Sequence, residues 1–467
     1  MKSSFSVDVV EKGKVGRKGS IPNAEGPDDP YKWSLLNKLY HTAISSIFCF
    51  TVTIASSIYM PARNSIIERF NVSLTIAILP YSFYVFGQAL GPLLAAPLSE
   101  NFGRRGTYVP CMLLFGLFTL GAGLSQSIAS LTICRFFAGV FGSPVLSVSA
   151  GTMADIWTPQ QRPIPLATLT MIPFLGPSLG PLISGFVIPA TSWRWSQWII
   201  CILAATSLLF ALGMKETNKQ VILARHAHKI GLLNVLMTST LLRPWKMFFS
   251  EIIVGSLAFY IGIVFAIYYA LFAAFPYIFI TQYGFDLGAQ GLTFLGLAAG
   301  NIIAFLYTLL RIRITKGKII KAMKEGKMVK FPPENRLVTA LHGTILVPIG
   351  LFWVGWTARS SVHWIVCISG SAFFAAGNFL VFTAYATYVV EVYGPLVGAS
   401  ATATVAMLRS LLGGAFPLFT IQMYERFGIG PATSLLGGIV LLLTPAPWLL
   451  YKFGPEVRAK SRYIPST

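Results

Sequence analysis

The chain has 467 residues, 54% of them hydrophobic and only 11% charged, with a mean hydropathy of +0.67. Soluble domains carry roughly 25% charged residues, so the composition excludes a soluble globular protein and indicates a polytopic membrane protein. The formal charge of +20 does not mark a nucleic-acid binder, because Lys and Arg fall in the joints between apolar runs rather than in one patch interleaved with aromatics.

In chain order, residues 1–40 are polar, carry Lys12, Lys14, Arg17 and Lys18, and lack an early apolar core. They read as a disordered tail rather than a cleavable signal. Twelve apolar spans follow, at about 41–60, 75–97, 107–124, 129–153, 164–188, 196–213, 252–280, 289–310, 337–357, 362–388, 396–421 and 430–451. Each is near the ~20 residues that cross a hydrocarbon core of about 30 Å. Lipid cannot satisfy an open sheet, so the spans are helices. The expected organisation is a six-helix half at 41–213, a polar central loop at 214–250, a second six-helix half at 251–451 and a tail at 452–467. With the N-terminus inside, 29 of the 36 Lys and Arg face the cytoplasm, which by the positive-inside rule places both termini there. The five cysteines lie in spans without metal spacing and read as free buried thiols.

The stretch Ala96–Arg105, APLSENFGRR, is a short charged turn that forces spans 2 and 3 into an antiparallel pair. The halves echo one another at Gly87-Gln-Ala-Leu-Gly91 in span 2 and Gly296-Leu-Ala-Ala-Gly300 in span 8. Two related six-helix halves with a site between them near the midplane is a transporter architecture. The plainer reading is small residues that let helices approach closely.

On these positions the chain resembles the major facilitator superfamily, and within it the fungal drug/proton antiporter branch with twelve spans, a group of multidrug and polyamine-type efflux transporters. Asp29-Pro30-Tyr-Lys-Trp33-Ser34 looks like that branch's DPxxWS lead-in to span 1. Ala96–Arg105 is similar to its signature between spans 2 and 3, with Ala96 in place of Gly and the longer acid at Glu100. Leu131-Thr-Ile-Cys-Arg135-Phe-Phe-Ala-Gly139 resembles the span 4 motif. Phe174-Leu-Gly176-Pro177-Ser-Leu-Gly180-Pro181, with Gly185, looks like the span 5 motif of antiporters. Tyr283-Gly284-Phe285, Pro333-Glu334-Asn335-Arg336-Leu337, Arg409-Ser410 and Phe416-Pro417-Leu418-Phe419 also fit. The resemblance implies an all-α membrane protein of twelve transmembrane helices in two pseudo-symmetric halves.

Site expectations combine the residues with that resemblance. Arg135, a guanidinium near mid-span, must find acceptors or water and is expected to couple protonation to opening. Glu100, Gly103, Arg104, Arg105 and Asp155 are expected to form a cytoplasmic gate. Gly176, Pro177, Gly180, Pro181 and Gly185 are expected to bend and closely pack span 5. Arg409 is read as lying nearer a helix end, able to snorkel. Tyr81, Gln88, Tyr269, Asn378 and Tyr385 are expected to line a substrate cavity. None of the spans has a central Asp or Glu, and Ala273 stands where relatives often carry an acid in an LFEAFP-like stretch. Such a cavity suits neutral or amphipathic molecules better than polycations.

Asn71-Val-Ser73 is a glycosylation sequon on the outer side, and His226-Ala-His228 reads as a basic membrane-surface face, not a metal site. No Walker sequence, catalytic triad or metal spacing is found. The expectation is a non-enzymatic, cofactor-free monomer in the plasma membrane. It exports small amphipathic molecules in exchange for protons by alternating access. The alternatives are a nutrient or polyamine carrier, or a receptor or enzyme that kept the fold.

Overall fold

The computed structural model describes residues 29–158, 161–218, 221–222, 242–325, 332–461 and 463. The first 28 residues, the His226–His228 segment and most of the central loop lie outside the described residues. The spans, in chain order, are α1 (Leu35–Phe70), α2 (Leu74–Ala95), α3 (Leu98–Leu124), α4 (Ile128–Ile156), α5 (Pro163–Ala190), α6 (Trp195–Ala211), α7 (Ile252–Tyr283), α8 (Leu287–Lys318), α9 (Pro333–Thr357), α10 (Trp364–Gly394), α11 (Ser400–Ala415 with Pro417–Phe427) and α12 (Ile429–Ala459). Ten are long and apolar enough to cross a membrane singly, α11 does so as a pair bent by 47°, and α6 is a shorter apolar helix. Twelve crossings return both chain ends to one face, which also carries the Ala96–Arg105 turn and is here termed the basic face.

Local chemistry sets the ends of these helices. Asp29 accepts from the Tyr31 amide to cap a short 3-10 turn, and the Ser34 hydroxyl accepts from the Asn37 amide to cap α1. The DPxxWS lead-in is thus two successive N-caps. Tyr283-Gly284-Phe285 ends α7 because Gly284 takes φ +64, letting the Gly284 and Phe285 amides donate back to Ile280 and Phe279 (3.0 and 3.1 Å). Pro417 starts the second limb of α11, where the bend falls.

Small residues bring the helices together in each half. A Cβ on Gly139 of α4 would lie 2.1 Å from the Tyr84 carbonyl of α2, and one on Gly87 would lie 2.2 Å from the Phe136 carbonyl. In the second half a Cβ on Gly300 of α8 would lie 2.1 Å from the Ala372 carbonyl of α10. The two Gly-x-x-x-Gly echoes therefore occupy matching crossings, α2 on α4 and α8 on α10, so the repeat and the close-packing reading are both right.

The halves meet along two seams. Gly414 of α11 sits against Phe86 and the Ser82 carbonyl of α2, and Gly185 of α5 sits against the Leu287 carbonyl of α8. At the face opposite the basic one, Arg63 donates to the Ala273 carbonyl (3.3 Å) and the Gln422 amide bonds the Thr75 hydroxyl (2.8 Å). Toward the basic face the α2–α11 seam continues through Ala89, Leu93 and Met407, while among the described residues no second-half helix packs extensively on α4. There α4 exposes Ser147 and Ala150 and half-exposes Ala154, whereas its outward positions nearer the opposite face are the large apolar Ile133 and Phe137. The second half thus leaves the basic-face end of α4 uncovered.

Gly139→Val should overpack the α2–α4 crossing, costing about 1–3 kcal/mol and lowering the melting temperature of the detergent-purified chain. Gly438→Ala, where an added Cβ meets nothing within 4 Å, should leave it unchanged.

Candidate functional site

Arg135 is 2% exposed and is held entirely by neutral acceptors. Its Nε donates to the Pro80 carbonyl (2.9 Å), Nη2 to the Ala55 carbonyl (2.9 Å) and Nη1 to Gln197 Oε1 (3.2 Å). The guanidinium also lies 4.8 and 4.9 Å from the ring centroids of Tyr59 and Tyr84. Ala55 is in the last turn of the regular helix Leu35–Ser57, where carbonyls lack amide partners and the helix end favours positive charge. Arg135 thus caps α1 while tying α4 to α2 and α6. No carboxylate among the described residues touches it.

A charged cluster sits at the basic face. Arg104 Nε donates to Asp155 Oδ2 (2.8 Å), and Arg104 Nη1 bonds the Ser99 hydroxyl. The carboxylate of Glu216, just past α6, accepts from the backbone amides of Arg104 (2.7 Å) and Arg105 (3.1 Å). Gly103, at φ +81, leaves no room for a side chain, because a Cβ would lie 2.3 Å from Glu216 Oε2. Gly151 of α4 leaves room for Arg104, whose guanidinium would have to shift away from a Cβ placed there at 2.6 Å. Arg105 Nη2 reaches the Leu212 carbonyl (3.3 Å). Glu100 stands apart, exposed, with no ion-pair partner among the described residues. Gly103, Arg104, Arg105 and Asp155 come together as expected, but the missing acid is Glu216, not Glu100. Every member lies on first-half helices or just past α6, so the cluster ties first-half elements to one another rather than bridging the two halves.

The span 5 residues serve contacts. Helix α5 runs unbroken through Pro173, Pro177, Pro181 and Pro189. Gly176 and Gly180 admit α1, with hypothetical Cβ atoms 2.3 Å from Thr53 Oγ1 and 2.2 Å from Ser57 Oγ, and Ser57 donates to the Pro177 carbonyl (2.8 Å). The Pro181 carbonyl and Gly185 instead receive α8, at Gly291 and Leu287. One stripe of small residues therefore touches both halves.

The expected cavity residues separate into two groups. Tyr81 and Tyr269 are buried in the seam between halves, where Tyr81 donates to the Tyr269 carbonyl (3.3 Å) and Tyr269 to Ser56 Oγ (3.1 Å). Gln88 is buried at the α2–α4 crossing. These three are packing, not open lining. Ala273 is likewise fully buried and offers its carbonyl to Arg63. Asn378 and Tyr385 differ, because Asn378 Nδ2 and the Tyr385 hydroxyl are buried with no hydrogen-bond partner. Asn301 Oδ1 is also unpartnered, while its Nδ2 donates to the Phe174 carbonyl (3.3 Å).

Arg409 does not snorkel at a helix end. It lies in the first limb of α11, partly buried, with its guanidinium 4.3 Å from the Phe265 centroid on α7 and 5.2 Å from the Phe382 centroid on α10. Its Nε has no partner. Phe382 packs edge-on against Phe174 of α5 (5.2 Å), so this aromatic wall spans both halves. Asn71 is exposed at the opposite face in a left-handed conformation (φ 50) that ends the turn after α1. All five cysteines are free.

Residues 45–417 match the family model of the Major Facilitator Superfamily. The chain is 35% identical to polyamine transporter 4 of Saccharomyces cerevisiae, over 94% of this chain and 72% of that one. It is 36% identical to efflux pump FUBT of Fusarium oxysporum, over 94% and 76%, and 34% identical to transporter mfs1 of Schizosaccharomyces pombe, over 98% and 91%. Among solved structures, the proton:xylose symporter XylE superposes with a TM-score of 0.64 at 17% identity, over 90% of this chain and 96% of that one. The human organic anion transporter MFSD10 gives 0.62 at 18%, over 88% and 99%. At such identities the likeness concerns the fold alone. With twelve helices in two halves and this extent of sequence agreement, the chain belongs to the Major Facilitator Superfamily of membrane transporters.

Proposed function

We propose that the chain is an export carrier for small amphipathic organic molecules at the plasma membrane, with both termini in the cytoplasm, working by alternating access in exchange for protons. The observation that carries this reading is the basic-face end of α4 left uncovered by the second half, together with a wall of aromatic side chains that holds buried, unpartnered polar atoms. Substrate enters from the cytoplasm against Phe265, Phe382, Asn378 and Tyr385. The halves then rock about the α2–α11 and α5–α8 seams, with the Gly176–Gly185 stretch of α5 sliding on α1 and α8. Relatives named as efflux pumps support the direction, and the relative named as a polyamine transporter keeps a second substrate class in view.

Asp155, paired with Arg104 at the basic face, is the proposed proton carrier, because none of the sixteen Asp and Glu lies in the middle of a span. Arg135 contributes by holding α1, α2, α4 and α6 as one body. Asn71 is the proposed glycan acceptor on the external face.

Purified protein in vesicles with an acidic lumen, oriented basic face outward, should accumulate amphipathic dyes, and collapsing the gradient should stop net uptake. Accumulation of a sugar or amino acid in the opposite direction would overturn the export reading. Asp155→Asn should remove the gradient dependence and leave dye exchange. Glu216→Ala should slow transport about tenfold or more, the equivalent of one charge-assisted hydrogen bond, with dye binding retained. Arg135→Lys, whose single ammonium lacks the planar fork that reaches three acceptors, should lower the melting temperature while preserving the gradient dependence that remains. Loss of that dependence in a folded Arg135→Lys protein would instead place Arg135 in the coupling step.

A further inference from the structure

The two mid-span arginines differ in how their charge is met. Arg135 has three acceptors. Arg409 has neither a carboxylate nor a hydrogen-bond acceptor among the described residues, and its Nε is shielded from solvent. A guanidinium held in low dielectric without a counter-ion is costly, and the aromatic faces of Phe265 and Phe382 offset only part of that cost.

The neighbouring loose ends on α10 and α11 share a polarity, while Asn301 Oδ1 of α8 is an unmet acceptor. Phe374, Asn378, Phe382 and Tyr385 recur at helical spacing on one face of α10. Phe374 packs on Tyr268 and Tyr385 on Tyr260, so that face looks toward α7. Asn378 and Tyr385 therefore flank Phe382, the ring over which Arg409 lies, by about one helical turn on either side. Asn378 Nδ2 and the Arg409 Nε–H are donors, and the Tyr385 hydroxyl has a proton to give. Two unmet donors, on Arg409 and Asn378, beside aromatic rings fit an acceptor-rich anion on an apolar body. They do not fit an ammonium group, which also brings only donors.

We infer that the transported molecules are organic acids in their carboxylate form, with the carboxylate bound by Arg409 and the apolar body lying between Phe265 and Phe382. The planar guanidinium matches a carboxylate in a way that an amide or amine cannot reproduce. Asn378, one helical turn from Phe382, adds a second donor. This assignment rests on the export reading above and names the substrate class of that site.

Equilibrium binding to the purified full chain tests it with three probes of the same shape: 2-naphthoate, 2-naphthamide and 2-naphthylmethylammonium. Wild-type protein should bind naphthoate about tenfold or more tightly than the amide, the range of a charge-assisted hydrogen bond, and should bind the ammonium weakest. Arg409→Gln should erase the preference for carboxylate over amide, and Arg409→Lys should keep part of it. Should Arg409→Gln not fold, Asn378→Asp supplies the second arm, placing a carboxylate beside the site and abolishing naphthoate binding while sparing the ammonium. A wild-type preference for amide or ammonium would overturn the inference, as would undiminished discrimination in folded Arg409→Gln. Vesicle uptake of the three probes separates this from the export reading. Naphthoate that binds through Arg409 but is never moved would sink export and leave the site standing. Transport without carboxylate preference would do the reverse.

Discussion

A positive charge inside a membrane must find acceptors, and the first half of this molecule is built around one that does. Arg135 draws the end of α1, the Pro80 carbonyl of α2 and Gln197 of α6 onto α4. The glycine crossing of α4 on α2 then sets how near those acceptors can come. With a larger residue at Gly139 the helices would separate and the guanidinium would lose a carbonyl. The chemistry and the packing are one constraint.

At the basic face each half is also tied to itself. In the first, Glu216 and Asp155 hold the Arg104 turn. In the second, Glu334 pairs with Arg458 (2.9 Å), Arg336 pairs with Glu391 (2.9 Å), and Glu251 accepts from the hydroxyls of Tyr393 (2.9 Å) and Ser461 (2.7 Å). The first set joins the α2–α3 turn to the ends of α4 and α6. The second joins the ends of α7, α9, α10 and α12. Isolated surface pairs contribute little, but these act beside further ties at the same helix ends, such as Tyr31 and Arg162 on the Ala154 carbonyl and Asn218 on the Ser99 carbonyl. Internal ties of this kind let each half move as a rigid body, and the seams of small residues between halves let the bodies slide.

The span count and the six-plus-six division were legible because lipid leaves the backbone only helices, and because Gly and Pro punctuate the runs. The caps at Asp29 and Ser34 and the Gly284 terminus were legible as motif positions, although their geometry was not. Glu216 escaped notice because it follows α6 in a stretch that reads as polar loop, with no periodicity to direct its side chain back to Gly103. Glu100 was misplaced for the converse reason, since sequence proximity to Arg104 says nothing about which way a turn points. Tyr81 and Tyr269 look like cavity residues by type, yet their hydroxyls close a seam. Arg409 lies in the first limb of α11, against Phe265 and Phe382 on neighbouring helices, a contact that sequence spacing alone does not reveal.

An acid-free interior with one unmet guanidinium also bears on the source of energy. Moving one elementary charge through a membrane potential is worth about 2.3 kcal/mol per 100 mV. A carboxylate leaving a cell whose interior is negative moves down that potential, and a proton entering moves down it too. Export of an anion thus needs no proton carrier buried at the binding site, whereas export of a cation works against the potential and depends on tight coupling through such a carrier. In the proposed exchange Asp155 meets the proton at the basic face, away from the substrate site. Arg409, by cancelling the charge of the proposed carboxylate substrate in the low-dielectric centre, would lower the barrier without altering the overall driving force.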